Sequence, residues 1–174
     1  MTRLLTGSVL AVLLSFQAQA SDKMTREHIQ QVIDVTDAAA KNRDTAGIGE
    51  YLSETFEKVI EFPYDEWMAT VRLDKEKYLN LIDEGWPTIE DYEYQRDNTV
   101  IHVMPDGLSG HSYSTITETL TLDGTRRVSK FREHALYALE NGRPVITQIS
   151  GHTLVGHTMP EPDDSAGASR RRDY

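Results

Sequence analysis

Two glutamates in the C-terminal half, Glu118 and Glu133, are the residues whose type and predicted surroundings suit acid–base chemistry. Both fall on the apolar face of a predicted sheet. Burial of a carboxyl among apolar side chains raises its pKa toward the range in which it exchanges a proton near neutral pH. The alternative is structural, since either glutamate could lie at a solvated strand end or pair with Arg127 or Arg132. The two glutamates are therefore candidate catalytic residues.

His152 is the third candidate catalytic residue, because the predicted strand register places it beside Phe131 on the same face. An imidazole there could act as a base or contact a ligand, although a single histidine in a sheet commonly serves only as a hydrogen-bonding group. The histidines show neither HxH nor HExxH spacing and the chain has no cysteine, so the sequence predicts no metal site. Neither a glycine-rich phosphate loop nor a GxSxG motif occurs, and no cofactor is predicted.

The remaining candidate site residues would form the wall of a pocket for a small, largely apolar molecule. Aromatic and aliphatic side chains with a few polar tips are typical of such pockets. The alternative, for the aromatic residues in the middle of the chain, is ordinary core or surface packing. The predicted ligand-binding residues are Phe131, Ile116, Tyr137, Gln148, Tyr64 and Trp67.

Three long antiparallel strands carry most of these residues, predicted over 110–122, 125–140 and 143–157. They are joined at Asp123-Gly124 and Asn141-Gly142. These dipeptides readily take positive φ at both central positions of a type I′ turn, which is the geometry of a two-residue hairpin. The sequence therefore predicts two tight hairpins in succession.

Two-residue turns also fix the register of the strands. Ile116 is then opposite Phe131, Phe131 is opposite His152, and Tyr137 is opposite Ile146. The face that carries these apolar residues, together with the two glutamates and Gln148, is predicted to be buried under helices. The other face is predicted to be half-solvated or a subunit interface. A one-residue bulge would exchange the two faces locally.

Upstream segments supply the helices that would cover the sheet. Periodicity and capping residues (Thr25 and Asp74 as N-caps, Gly85 as a helix stop) predict an α+β fold, with N-terminal helices packed on one face of a curved, mainly antiparallel sheet. Residues 64–72 are ambiguous. The predicted elements are helices over 24–41, 45–52 and 74–84, a strand over 56–62 ended by Pro63, and a strand over 91–104.

Both ends of the chain are predicted to lie outside the folded domain, which spans 21–157. Residues 1–20 have a basic start, an apolar run and the small-residue site Ala18-Gln19-Ala20, as in a secretory signal peptide cleaved after Ala20. This predicts a periplasmic or secreted protein without stable membrane insertion; an uncleaved anchor is the alternative. Residues 158–174 have no apolar periodicity and are predicted to be a disordered tail.

The charge balance limits the classes of partner. The chain carries 28 acidic and 18 basic residues, a net charge of −10. Nucleic acids and anionic membrane surfaces attract basic proteins, so neither is a predicted partner.

The order of elements resembles the nuclear transport factor 2-like superfamily, with its SnoaL-like and ketosteroid-isomerase-like branches nearest. The resemblance covers about 24–157 and rests on the amphipathic first helix, the short glycine-containing helix, the strand at 56–62, the helix start Asp74-Lys75-Glu76-Lys77-Tyr78 and the long terminal hairpins. It implies a cone-shaped fold, a pocket between helices and sheet, and frequently a homodimer through the sheet. Members include isomerases, epoxide hydrolases, polyketide cyclases and ligand-binding proteins, so fold does not assign function.

Three functions remain open from the sequence. The first is an exported protein that binds a small, largely apolar ligand in that pocket. The second is an enzyme of the isomerase, cyclase or dehydratase type, with Glu133 or Glu118 as proton shuttle and His152 nearby. The third is an interaction module that dimerises through its sheet.

Overall fold

The computed structural model describes residues 22–64 and 67–155, without the side chains at positions 63, 64, 67 and 155. The predicted signal peptide and the predicted C-terminal tail lie outside the described residues. The elements, in order, are α1 (Arg26–Lys41), α2 (Thr45–Gly49), β1 (Leu52–Tyr64), β2 (Trp67–Asp74), α3 (Lys75–Gly85), a 3-10 turn (Trp86–Thr88), β3 (Tyr92–Val103), β4 (Ser109–Leu122), β5 (Thr125–Glu140) and β6 (Arg143–Val155).

The strands form one six-stranded sheet in the order β2-β1-β6-β5-β4-β3. Only the β1–β6 pair is parallel among the described strands, and every other neighbouring pair is antiparallel. The helices pack on one face of this curved sheet, with α1 on β3 and α3 on β1. The predicted α+β class and its helices-on-one-face arrangement are confirmed.

Helix ends follow the predicted capping residues at their N-termini. The Thr25 side chain accepts a hydrogen bond from the His28 amide, and Asp74 accepts one from the Lys77 amide. Gly85 ends α3 as predicted, but its φ of −75° is helical, not left-handed. The chain therefore runs on directly into the 3-10 turn, in which Pro87 cannot continue an α-helix.

The first predicted hairpin has the predicted geometry and register. Asp123 and Gly124 both have positive φ, at 50° and 70°. Ile116 is opposite Phe131, and every predicted pair of this hairpin is present. A two-residue turn with positive φ at both positions matches the twist of the strands, so it fixes the register along their whole length.

The second hairpin begins in the predicted register, but a bulge in β6 then shifts its pairing by one residue. Tyr137 is opposite Ile146 as predicted, but Leu136 is already opposite Gln148, so Thr147 is an additional residue on β6. One extra residue exchanges the inward and outward positions of the strand beyond it. The predicted pairing of His152 with Phe131 is therefore wrong, because His152 is opposite Arg132.

The N-terminal part of the sheet is larger than predicted. The strand predicted over 56–62 is β1, which continues through Pro63, and the ambiguous segment that follows is the edge strand β2. Pro63 pairs with Met68 of β2, whereas the described pairing of β1 with β6 ends at Glu61. Its missing N–H therefore removes no hydrogen bond to β6, which explains why proline does not end the strand.

The hydrophobic core lies between the helices and the sheet. It joins the apolar stripe of α1 to inward residues of the strands and to Ile48 of α2. Its fully buried large side chains are Phe56, Ile29 and Ile116. Beside this core the packing is interrupted by a cavity.

Candidate functional site

A cavity of about 310 Å³ lies between the helices and the inward face of the sheet. All three described helices and strands β1, β3, β4, β5 and β6 contribute to its wall. Most of its surface is apolar, and charged side chains project into it from the sheet and from α1. Among the apolar lining residues are Ile33, Ile48, Ile60, Tyr78, Ile82 and Trp86.

One charged group in the cavity wall, which we call the Arg96 cluster, consists of Asp37, Arg96, Glu133 and Tyr94. Arg96 Nε donates to both carboxylate oxygens of Asp37 at 3.0 and 2.9 Å, and its Nη1 donates to Glu133 Oε1 at 2.7 Å. Arg96 Nη2 donates to Asp37 Oδ1 at 2.9 Å and to the Tyr94 hydroxyl at 2.8 Å. One guanidinium thus binds two carboxylates by charge-assisted hydrogen bonds.

The Arg96 cluster is nearly closed to solvent. The side chains of Arg96, Asp37 and Glu133 are 11%, 15% and 8% exposed. Burial opposes the charge of Arg96, but Glu133, Tyr94 and Asp37 together outweigh burial and raise the pKa of Arg96 above its usual value. The guanidinium therefore stays protonated, and it anchors α1 to β3 and β5 at the cavity wall.

Glu118 forms a second polar group with Tyr92. Its Oε1 accepts a hydrogen bond from the Tyr92 hydroxyl at 2.8 Å. Burial raises the pKa of Glu118, and the Tyr92 hydrogen bond and the Lys58 charge offset this only in part. Burial and the neighbouring Glu118 also raise the pKa of Tyr92, so its hydroxyl remains a donor. The raised pKa lets the Glu118 carboxyl keep its proton to a higher pH than an ordinary glutamate, which favours a role as proton donor.

Lys58 is the third charged feature of the cavity. Its Nζ lies 5.8 Å from the ring centroid of Tyr78 and 6.0 Å from that of Phe131. Burial lowers the pKa of Lys58, which the charges of Glu133 and Glu118 counteract in part. Lysine was not among the predicted site residues. Its place in the alternation Phe56-x-Lys58-x-Ile60, on an otherwise apolar face, was the available signal.

Four of the predicted site residues come together in the cavity wall. These are Glu118, Glu133, Phe131 and Tyr137. Neither glutamate forms the predicted alternative pair with Arg127 or Arg132, since their partners are Tyr92 and Arg96. The Tyr137 hydroxyl is 3.0 Å from Ser112 Oγ, and burial raises the pKa of Tyr137 to about 12.

Five other predicted site residues are not placed in this wall. Ile116 is fully buried in the core. Gln148 donates to Glu57 at 3.0 Å in a separate groove, and the imidazole of His152, 55% exposed, lies 3.4 Å from Glu61. The β6 bulge explains the last two, because it turns both residues to the opposite face. The side chains of Tyr64 and Trp67 lie outside the described residues.

Sequence reasoning also missed Asp37 and Arg96 of the Arg96 cluster. Asp37 lies on the apolar stripe of α1, four residues after Ile33 and three before Ala40, where a lone acid is a signal of a buried partner. Arg96 gave no such signal, because its neighbours in β3 are polar on both sides.

The outward face of the sheet carries a group of aromatic rings. The rings of Tyr113 and His134 stack at 4.3 Å, and His111 contacts both of them and His102. His134 Nε2 is buried without a hydrogen-bond partner among the described residues, and burial lowers the pKa of His134. No set of three or more His, Asp or Glu side chains in the described ranges is arranged to hold a metal ion.

Comparison with known proteins identifies the fold. No protein-family model and no curated protein matches the sequence. Solved structures do match. An NTF2-like protein of Cytophaga hutchinsonii is 16% identical, with 75% of this chain and 98% of that chain covered at a TM-score of 0.60. The hexachlorocyclohexane dehydrochlorinase LinA-type3 of Novosphingobium barchaimii is 14% identical (79% of this chain, 94% of that chain, TM-score 0.60), and a proposed scytalone dehydratase of Novosphingobium aromaticivorans is 9% identical (77% of this chain, 89% of that chain, TM-score 0.63).

At such identities the likeness concerns the fold alone. The fold is that of the nuclear transport factor 2-like superfamily, with the cone-shaped α+β architecture that the resemblance implied. Two of these neighbours have names of enzymes and the third has only the name of its fold.

Proposed function

We propose that the protein binds a small, largely apolar molecule in the cavity between its helices and its sheet. The observation that carries this proposal is the mostly apolar wall around about 310 Å³ of space, into which a few charged groups project. That size and that mixture of surfaces are typical of small-molecule sites. A domain whose core served packing alone would fill this space with side chains.

The charged groups orient the proposed ligand. Its apolar body would contact aromatic side chains such as Tyr78 and Phe131, and its polar end would face Glu118 and Lys58. Because these two groups sit in an apolar wall, an unpaired polar atom of the ligand placed elsewhere would lose its hydrogen bonds to water.

Native mass spectrometry of the protein purified from its own host tests the proposal. We expect a bound small molecule that dissociates on denaturation. Ala135→Leu, which adds bulk to the cavity wall, should remove it. Ala138→Leu is the matched control, because it makes the same change on the same strand and Ala138 is not among the cavity-lining residues. Loss of the adduct in both variants, or in neither, would contradict the proposal.

A second candidate function is acid–base catalysis of the isomerase, cyclase or dehydratase type. The observation that favours it is Glu118, a half-buried carboxyl in the cavity wall with a raised pKa and a tyrosine donor. Glu133, held by Arg96, is the second candidate proton carrier. His152, on the opposite face, has no part in this proposal.

Deuterium incorporation tests the catalytic candidate. A proton shuttle would exchange ligand C–H positions with D2O, and Glu118→Gln or Glu133→Gln should slow that exchange, by about 100-fold or more for a general acid–base residue. A native ligand recovered from D2O without deuterium would leave ligand binding as the function.

Export is part of the proposed function. Among the described residues, no helix is both long and apolar enough to span a bilayer. A signal peptide cleaved after Ala20 would deliver the domain to the periplasm or the medium. The intact mass of the protein from its host should correspond to a chain that begins at Ser21.

A homodimer through the outward face of the sheet is also proposed. Val100, Tyr113 and Val128 expose large apolar surfaces there, and Tyr113 is 48% exposed. Contiguous exposed apolar groups often mark an interface. Light scattering should give a dimer for the wild type and a monomer for Tyr113→Glu.

A further inference from the structure

Lys58 differs from Lys75 and Lys77 in forming neither a hydrogen bond nor an ion pair with any residue that the structure describes. Lys75 Nζ donates to Glu54 at 2.7 Å and to the Leu52 carbonyl at 2.9 Å, and Lys77 binds Asp74 at 2.7 Å. Among the described residues, Lys58 Nζ has no hydrogen bond and no ion pair, only the two rings beside it. A half-buried lysine among apolar side chains gains no stability from an ion pair when it forms none, so this placement calls for another explanation than stability.

The surroundings of Lys58 favour the neutral amine. Burial lowers the pKa of Lys58 most, and Arg96 on β3 adds to this, while Glu133 on β5 and Glu118 on β4 oppose it. Tyr78 on α3 contributes a neutral ring, since burial raises its own pKa. A neutral lysine amine in an apolar pocket is a nucleophile toward carbonyl groups.

The same cavity holds the proton donor that such a reaction needs. Glu118 lines the cavity with Lys58, and the two groups interact electrostatically. Because its pKa is raised, the Glu118 carboxyl keeps its proton to a higher pH than an ordinary glutamate. The two carboxylates, Glu118 and Glu133, would in contrast repel an anionic ligand that sought an ion pair with Lys58.

We propose that Lys58 forms an imine with the carbonyl group of an aldehyde or ketone whose apolar body occupies the cavity. The inference rests on the proposed function, because the molecule must enter the cavity before the amine can reach it. It adds the chemical class of the ligand, an apolar carbonyl compound, and a covalent site on β1.

The reaction balances without an oxidant or a reductant. The Nζ lone pair attacks the carbonyl carbon, a C–N bond forms as the C=O π bond breaks, and one proton passes from the nitrogen to the carbonyl oxygen to give a neutral carbinolamine. Glu118 protonates the hydroxyl group, which leaves as water as the nitrogen lone pair forms the C=N bond. The nitrogen then loses its remaining proton to the Glu118 carboxylate, so that amine and carbonyl give imine and one water.

Reductive trapping with two matched probes tests the inference. The full-length mature protein is incubated with 2-naphthaldehyde and cyanoborohydride, and peptide mass spectrometry locates the label. We expect labelling at Lys58 in preference to the surface lysines, no label at position 58 in Lys58→Arg, and unchanged Lys58 labelling in Lys75→Arg. Glu118→Gln should slow Lys58 labelling at least about tenfold.

The alcohol 2-naphthalenemethanol, which cannot form an imine, separates binding in the cavity from imine formation at Lys58. Its binding is followed by tryptophan fluorescence, since Trp86 lines the cavity. Binding of the alcohol with no preferred label at Lys58 would overturn the imine and leave the proposed function intact. Failure of both probes to bind, with Lys58 labelled no faster than Lys75, would overturn the imine and remove support from the proposed function as well.

Discussion

Removal of the guanidinium at position 96 should destabilise the protein more than any other single change at the cavity wall. Arg96→Met keeps an unbranched apolar stem but leaves Asp37 and Glu133 without a counter-charge. Those carboxylates are 15% and 8% exposed, so water replaces the lost hydrogen bonds only in part. The variant therefore retains two buried acids that face each other across an apolar methionine.

The magnitude follows from this uncompensated burial. Removing one partner of a buried ion pair costs about 3–5 kcal/mol of the free energy of unfolding. In a domain of this size that corresponds to a drop in Tm of about 10–20 °C. The control is Arg126→Met, because its nearest acid, Glu93, lies 3.9 Å away and both side chains are mostly exposed. Such surface pairs add little, so its Tm should be unchanged.

Urea unfolding at neutral pH measures the difference, and a triple variant tests its cause. Asp37→Asn, Arg96→Met and Glu133→Gln together remove the charges, and the two amides keep the shapes of the acids that they replace. If buried charge causes the loss, the triple variant should be more stable than Arg96→Met alone. The reasoning is refuted if Arg96→Met costs less than about 1 kcal/mol, or if the triple variant is no more stable than the single one.

Three further changes have expected outcomes of defined sign. The pKa of Glu118 in the folded protein lies above its usual 4.5, so the wild type loses stability as the pH rises from 4.5 through that folded-state pKa. Glu118→Gln does not titrate, so its Tm should exceed that of the wild type by little below pH 4.5 and by more above it. Tyr92→Phe removes the hydrogen bond that lowers the pKa of Glu118, so NMR titration of that carboxyl should show a rise, and a fall would contradict the assignment. Gly124→Ala should cost about 1–2 kcal/mol because φ is +70°, whereas Gly85→Ala, at a helical φ of −75° and with equally open space, should raise the free energy of unfolding by about 0.4–1 kcal/mol.

Local signals in the sequence predicted the parts of the fold that local interactions determine. Asp123-Gly124 fixed a hairpin because few other dipeptides take positive φ twice. Thr25 and Asp74 marked helix starts because their side chains bind amides three residues on. No local signal marked Thr147 as a bulge, since its effect arises from pairing with a neighbouring strand.

Part of the candidate site was also predicted from the sequence, because local interactions determine the strands that carry it. Glu118 and Glu133 lie on strands whose register one tight turn fixes, and both line the cavity. His152 and Gln148 lie beyond the bulge and were assigned to the wrong face. Arg96 gains its role only from residues distant in sequence, which no periodicity along its own strand can show.

The parallel pairing of β1 with β6 determines which part of the sheet forms last during synthesis and folding. Lys58 lies opposite Ile149, and Ile60 opposite Gly151, so the first strand of the sheet has its central neighbour in the last one. Contacts between segments so far apart in sequence form late, after local hairpins, because the intervening loop must close first. A nascent chain that ends before β6 can form the β4–β5 hairpin but lacks the β6 part of the cavity wall, so synthesis of β6 is the event that completes the cavity.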